Sequence, residues 1–432
     1  MPQADTIFAL ATPPGTGGVA VVRVSGPHAL AGLRSLTGRA RFAPRHATLA
    51  ALRLPVSRET LLDRALVLFF PAPHSYTGED TAEYHLHGGC AVVAGVLDAL
   101  AALPGHRPAE PGAFTRRAFA NGKMDRTAAE GLADLIAAQT QAQAAQALAQ
   151  MDGALARVYR GWTDRAARAL ALAEAALEFP DEDLPPGMPD AALAAAHKLY
   201  TDIEAHLADA RGMTLRDGVR IVLTGAPNAG KSTLLNALAR RDVAIVTDTP
   251  GTTRDVLEVP LDLGGVPVVL CDTAGLREAA CAVEAEGVRR ARAAAAAADI
   301  VLALVDGTAE SVSRETPWTV YTKSDAPGFA APPGALAISA KTGAGLDALL
   351  ARLTDAAVDL TGGREAPALT RTRHRVALTE AAAHLARTQS ATAPELAAED
   401  LRLAVRALGR LTGAVDVEEV LDALFAEFCI GK

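Results

Sequence analysis

Residues 219 to 232 read Val219-Arg220-Ile221-Val222-Leu223-Thr224-Gly225-Ala226-Pro227-Asn228-Ala229-Gly230-Lys231-Ser232. An apolar run ends in a complete G-x-x-x-x-G-K-[ST] octet, the pattern of a buried strand, a glycine-rich phosphate loop and a helix that starts at the lysine. Such a turn points backbone amides at an anion, and the helix N-terminus behind it adds a favourable dipole. Lys231 is expected to neutralise the β and γ phosphates of a bound nucleotide, and the Ser232 hydroxyl to ligate the Mg²⁺ that bridges them. The phosphate-binding set is therefore Asn228, Ala229, Gly230, Lys231, Ser232 and Thr233.

Four further elements follow in the order used by guanine-nucleotide switches. The segment Thr247, Asp248, Thr249, Pro250, Gly251, Thr252, Thr253 supplies hydroxyls to a loop that must sense the γ-phosphate, with Thr253 as the second protein ligand of Mg²⁺. Asp272, Thr273, Ala274 and Gly275 follow the run Val266 to Cys271; Asp272 is placed to hold Mg²⁺ through water and the Gly275 amide to meet the γ-phosphate. After the strand-like run Ile300 to Val305 come Thr322, Lys323 and Asp325, then Ser339, Ala340 and Lys341 to close a base pocket. An aspartate that accepts from the N1 and N2 protons of guanine discriminates strongly against adenine, which cannot offer them. No glutamine follows Gly275, so a carboxylate, Glu278 or Glu284, is the available water-positioning group. No arginine finger is identifiable; the Asn228 oxygen is a candidate to hold a monovalent cation in its place, weighed against an ordinary loop former.

The chain has 432 residues, enough for two or three domains with cores of their own. Half of it is apolar, which excludes a disordered chain. Its net charge of −8 excludes nucleic-acid binding by global attraction, so any such contact must be local. Arg371 to Arg375 and Thr115 to Arg117 are the basic candidates, each weighed against an ordinary salt-bridged helix face. Cys90, Cys271, Cys281 and Cys429 lack CxxC spacing, which argues against a zinc site or disulfide framework. Asp5 stands where a secretory signal wants positive charge, and the longest apolar tract, Ala293 to Val305, contains Asp299 and is too short to span a bilayer. A cytoplasmic protein is expected.

From Thr6 to about Phe119, β-branched runs alternate with Pro- and Gly-rich turns, which predicts a mixed α/β domain. The Ala-, Gln- and Leu-rich stretch from Thr127 to Phe179 predicts long helices, Asp190 to Arg211 another, and Arg371 to Phe428 more. The expected architecture is multidomain, α/β plus all-α. An N-terminal α/β domain (1–118) precedes a discontinuous helical domain (119–215 and 361–432), into which a P-loop domain with a mostly parallel sheet (216–360) is inserted. Insertion is tolerated when the guest domain's ends lie close together.

Several segments outside the P-loop domain carry a resemblance: Asp5-Thr6-Ile7, Arg23-Val24-Ser25-Gly26-Pro27, Ser75-Tyr76-Thr77-Gly78-Glu79-Asp80, Pro111-Gly112-Ala113-Phe114-Thr115-Arg116-Arg117, Asn121-Gly122-Lys123-Met124-Asp125, and the tail Cys429-Ile430-Gly431-Lys432. With these added, the chain resembles the bacterial and mitochondrial tRNA-modification GTPases of the MnmE (TrmE) family. The resemblance implies a folate-binding and dimerising N-terminal domain. It implies a one-carbon tetrahydrofolate (5-formyl or 5,10-methylene form) held by Arg23, Glu83, Lys123 and Lys432. It further implies K⁺ coordinated by Asn228, Thr247, Thr249 and Thr252, Mg²⁺ by Ser232 and Thr253, and catalysis by Lys231 with a water oriented by Glu284. The implied partners are a second copy of the chain, the flavoprotein MnmG (GidA) in a heterotetramer, and tRNA, whose wobble uridine receives an aminomethyl or carboxymethylaminomethyl group at C5.

Three positions depart from that pattern. Thr322 stands where the family's NKxD motif has Asn, Ala113 replaces a Glu, and the stretch from Asp306 to Thr322 is short. Two alternatives compete with the tRNA-modifying reading: a ribosome-assembly GTPase of the Era or EngA kind, which shares the Thr-Pro-Gly-Thr-Thr-Arg-Asp segment but neither the tail nor the front end, and a folate-dependent aminomethyl transferase with a decayed nucleotide domain.

Overall fold

The structure, a computed structural model, describes residues 5–178, 188–241, 243–245, 258–272, 296–309, 316, 318–362, 367–413 and 431. The chain divides into two compact units, residues 1–133 with 409–432, and residues 134–408.

In the first unit the order is β1 (Thr6–Leu10), β2 (Gly17–Ser25), α1 (Ala29–Thr37), β3 (Thr48–Arg53), β4 (Leu61–Phe70), β5 (Thr81–Gly88), α2 (Cys90–Ala101), β6 (His106–Pro108), α3 (Ala113–Ala120) and α4 (Arg126–Ala137). The sheet runs β3-β4-β5-β2-β1-β6, with β6 parallel to β1 and the other pairs antiparallel. Strand alternation sends Ala20, Val22 and Val24 of β2 into a core with Leu33, Leu36, Val67, Tyr84, Val96 and Leu100. The same alternation turns Arg23 to the opposite face, where the ladder sets it beside Glu83 of β5. Ala113 is the first residue of α3, which has neither a side-chain cap nor an acidic residue in its first turn.

The second unit contains α5 (Gln141–Met151), α6 (Ala154–Glu178), α7 (Met188–Leu207), α8 (Arg211–Asp217), β7 (Val219–Thr224), α9 (Lys231–Ala239), β8 (Glu258–Leu263), β9 (Val266–Asp272), β10 (Ile300–Asp306), β11 (Thr319–Thr322) and β12 (Leu336–Ala337), followed by helices Leu346–Thr361 and Thr372–Thr388. A capping box at Thr140 and Gln143 fixes the start of α5. The sheet order is β12-β11-β10-β7-β9-β8, parallel throughout except for β8. Its strands are near-continuous apolar runs because both faces are covered, and their carboxyl ends open on one edge, where ligands bind in open α/β sheets.

The chain enters and leaves this sheet region side by side. Gly212 of α8 lies so close to the returning chain that a Cβ there would sit 2.5 Å from the Leu369 carbonyl oxygen. One face of α5 serves both passages: Gln143 donates to the Arg216 carbonyl (2.9 Å), Gln146 to the Gly212 carbonyl (3.1 Å), and Gln150 accepts from Thr370 (2.9 Å). Asp134 receives Arg216 at 2.9 Å and Arg371 at 2.7 Å, one arginine from each passage. The basic run Arg371 to Arg375 is thereby spent on the fold: Arg371 is buried on Asp134, His374 is fully buried, and Arg375 donates to the Leu207 carbonyl. A docking patch there is not what the structure supports.

Candidate functional site

The phosphate loop leaves β7 through Gly225, whose φ of +141° and backbone approach to Leu304 (2.3 Å from a Cβ) admit only glycine. Asn228 is left-handed at φ +64°, and so is Gly230 at φ +88°, which caps α9. Lys231 folds back over the loop, its ammonium donating to the carbonyls of Gly225 (3.0 Å) and Ala226 (2.9 Å). Ser232 donates to Asp272 at 2.8 Å; the ladder brings Asp272 there by pairing it with Leu223, and it is 1% exposed. Thr233 follows on an exposed turn of α9.

Among the described residues no group of three or more His, Cys, Asp or Glu could cage a metal. Mg²⁺ in a nucleotide site needs no such cage, because phosphate oxygens and water complete its octahedron around one hydroxyl and one outer carboxylate. Ser232 and Asp272 bring one such hydroxyl and one such carboxylate together, 2.8 Å apart. The expected Thr247, Asp248, Thr249, Pro250, Gly251, Thr252, Thr253, Thr273, Ala274, Gly275 and Glu284 lie outside the described residues, and so does Lys432.

The base end is built from three strand ends. Thr322, 4% exposed, has its hydroxyl 2.8 Å from the Ala229 carbonyl and 3.2 Å from that of Val305. It thus ties β11 to the phosphate loop. Asp325 is exposed and accepts from the buried Ser339 hydroxyl at 2.7 Å; that bond, with its own backbone amide and the Lys341 charge, holds its carboxyl below the ordinary range. Ala340 is half-buried and Lys341 exposed beside it. Lys323, at φ +63°, pairs with Asp306, whose carboxyl is pulled down to about 2 by that lysine and by Thr308. Asp306 was not among the expected residues. The legible signal was its place as the acidic end of an apolar run, at the carboxyl edge of a parallel sheet.

In the first unit, Arg23 and Glu83 meet at 3.0 Å across β2 and β5, and His85 approaches the other carboxylate oxygen at 3.4 Å. The Arg23 guanidinium lies 5.3 Å from the Tyr76 ring centroid and 5.9 Å from that of Phe114. Burial raises the Tyr76 phenol, which is hydrogen-bonded to Thr115 at 2.8 Å. Lys123 donates to the Pro73 carbonyl at 3.0 Å and packs where Gly78 leaves space, so the 73–78 loop touches both cationic candidates. Arg117 is not part of a basic surface: it is 3% exposed and bonded to Asp5, Glu79 and the Ser25 carbonyl. Gly431, at φ +103°, sits where a Cβ would meet the Leu10 carbonyl at 2.1 Å, which packs the tail backbone on the end of β1.

Fold and loop define a P-loop nucleotide-binding protein with an Arg23–Glu83 ion pair in a separate α/β unit. Family models match along most of the chain, the GTP-binding protein TrmE N-terminus at residues 6–123 and the MnmE helical domain at residues 127–429. A protein of Parvibaculum lavamentivorans called tRNA modification GTPase MnmE is 55% identical over 99% of this chain and 100% of its own length. One of the same name from Methylorubrum populi is 57% identical over 99% and 98%. A solved structure of Aquifex aeolicus Era, a single-site variant bound to GDP and AlF₄⁻, aligns with 40% of this chain and 69% of its own at 23% identity and a TM-score of 0.26. The chain belongs to the MnmE family.

Proposed function

We propose that this chain is a potassium-dependent GTPase that modifies the wobble uridine of tRNA together with a flavoprotein of the MnmG (GidA) kind. GTP hydrolysis in the service of tRNA modification follows from family membership; the cation, the partner and the one-carbon chemistry are the finer part of the reading. The observation that carries it is the pairing of Ser232 with Asp272 under a complete phosphate loop, with Asp325 held by Ser339 at the base end. A loop whose lysine is folded onto its own carbonyls is preorganised for phosphates, and binding energy spent on fixed donors is retained in the transition state.

In this reading residues 216–360 form the GTPase domain, 119–215 and 361–432 the helical domain, and 1–118 the folate-binding and dimerising domain. Mg²⁺ is held by Ser232 and Thr253. Asn228, Thr247, Thr249 and Thr252 hold K⁺ in the place of an arginine finger, and Glu284 orients the water. Arg23 and Glu83, already opposed across two strands, offer a cation to folate carboxylates and an acceptor to pterin donors. Lys123 and Lys432 complete that pocket, and the protein works as a homodimer in the cytoplasm. No described helix is long and apolar enough to cross a membrane.

GTP turnover compared in potassium and sodium at equal ionic strength tests the cation. Equal rates, or stimulation kept by Asn228→Ala, would remove it from the mechanism. Glu284→Ala should abolish most turnover and leave nucleotide binding nearly intact. Mass analysis of wobble nucleosides from cells lacking the chain tests the tRNA product, and an unchanged nucleoside profile would overturn it.

A further inference from the structure

The Thr322 hydroxyl has one proton and two carbonyl neighbours, Ala229 and Val305. It can secure the end of β11, but nothing is left over for the turn that follows. That turn begins with Lys323 at φ +63°, an uncommon conformation for a residue with a Cβ, so something outside the turn must hold it. The Ser324 amide donates to the Ile338 carbonyl (3.1 Å) and Ser339 holds Asp325 (2.7 Å), while among the described residues one group holds the Lys323 side chain itself. Asp306 is the ladder partner of Thr322, and its carboxylate is divided between two tasks. One oxygen accepts from the Thr308 amide (3.0 Å) and hydroxyl (2.7 Å), closing its own turn; the other meets the Lys323 ammonium. The backbone around the pair is fixed as well: the Gly307 amide donates to the Thr322 carbonyl at 3.2 Å, and a Cβ on Gly307 would strike the Phe329 ring at 2.3 Å.

We propose that Asp306 is a positioning residue for the nucleotide base: it holds the Lys323 ammonium at the end of β10 and so sets the turn from Thr322 to Asp325 in its guanine-accepting form. The inference rests on the GTP reading of this pocket. An ion pair with side chains 19% and 39% exposed contributes little to folding, so its effect belongs in ligand affinity, where a small displacement of a contacting group is costly. It also accounts for a pocket that works with threonine at its first position, since the charge pair supplies the second tether that a lone hydroxyl lacks.

The test is the dissociation constant of fluorescently labelled GDP for the full chain with Mg²⁺. Asp306→Asn should weaken binding about 10-fold, as expected for loss of one charge-assisted contact, with the melting temperature unchanged. In a Lys323→Met background, which keeps the aliphatic stem, Asp306→Asn should change affinity by less than about 2-fold, because its only route to the base is gone. Thr308→Val removes the other hydroxyl partner and should leave affinity within about 2-fold of the parent. Parent-like affinity in Asp306→Asn, a full loss in the Lys323→Met background, or an equal loss in Thr308→Val would overturn the inference and leave the GTP reading intact. A parent that fails to bind labelled GDP would overturn the GTP reading, and the inference with it.

Discussion

The phosphate loop and the Arg23–Glu83 pair both set charged groups on a six-stranded sheet, yet they are assembled in opposite ways. In the loop, residues 225 to 232 are contiguous, and much of the work falls to backbone groups whose geometry glycine and helix start dictate. In the pair, Arg23 and Glu83 are 60 positions apart, are brought together by strand register, and neutralise each other until something displaces them. A contiguous site is robust to what surrounds it. A register-built site shares its fate with the sheet, and its side chains are stability elements as much as binding groups.

The largest expected effect tests the contiguous half. Lys231→Ala should lower GTP turnover by at least about 100-fold, since one positive charge on the transferring phosphoryl is lost, while thermal stability stays near the parent value. Phosphate release and melting curves measured together check it. A marked fall in melting temperature would mean that the loop, too, is a stability element, and the contrast would fail.

Acid should separate the two units next. Burial, with the neighbouring His374 against it and Asp209 partly offsetting, pushes the His206 imidazole of the second unit down to about 4. The unfolded chain therefore takes up this proton first, and stability falls as pH drops from about 6.5 towards 4, by at most about 2 kcal/mol for one partly exposed imidazole. In the first unit burial raises the Asp5 carboxyl, but its bonds and charges to Arg107 and Arg117 outweigh that and hold it below 3.8. Its contribution is present above 3.8 and lost only as pH falls through the lower folded value. Hydrogen exchange between about pH 7 and 4 should show the second unit loosening, and His206→Gln should flatten that limb.

Arg23→Ala probes the register-built half with a smaller effect. Among the described residues it leaves a partly buried Glu83 with His85 beside it, at a cost of about 1–2 kcal/mol, and removes a cation from the proposed folate pocket. Thermal unfolding should register the loss while GTP turnover does not move. The double variant with Glu83→Gln should recover part of the stability but none of the folate binding; recovery of both would mean that the pair is structural only.

Thr322→Val is the finest probe. It is nearly isosteric and removes the hydroxyl that ties β11 to the Ala229 carbonyl, so guanine nucleotide binding should weaken by about 1 kcal/mol. Unchanged affinity would show that the threonine is only packed there.

The strands leading into the nucleotide motifs were legible as short apolar runs, and β7, β9, β10 and β11 lie where those runs were read. Much of the helical part was legible from composition, though Thr127 to Phe179 proved to be three helices because the chain breaks at Thr140 and again at Asp152-Gly153. Less visible were the roles of charges. Arg117 and Arg371 read as possible surface cations, but each sits on carboxylates that arrive from elsewhere in the chain. Asp306 read only as the start of a short stretch after the run Ile300 to Val305, and nothing local announces that Lys323 lies within reach of it.

The sequence by itself therefore determined the phosphate loop, because glycine's freedom at Gly225 and Gly230 and the lysine at the start of α9 are local properties of backbone and helix. It also determined the mostly parallel sheet behind that loop, through apolar runs too continuous for a one-sided strand. The tertiary structure alone decided which charges are paired: Arg23 with Glu83, Lys323 with Asp306, and Asp134 between the two passages of chain. The physical reason is range. A turn or a helix start is fixed by residues a few positions apart, whereas a buried or half-buried charge is fixed by whichever partner the fold brings within a few ångströms, and separation in sequence carries no record of that distance.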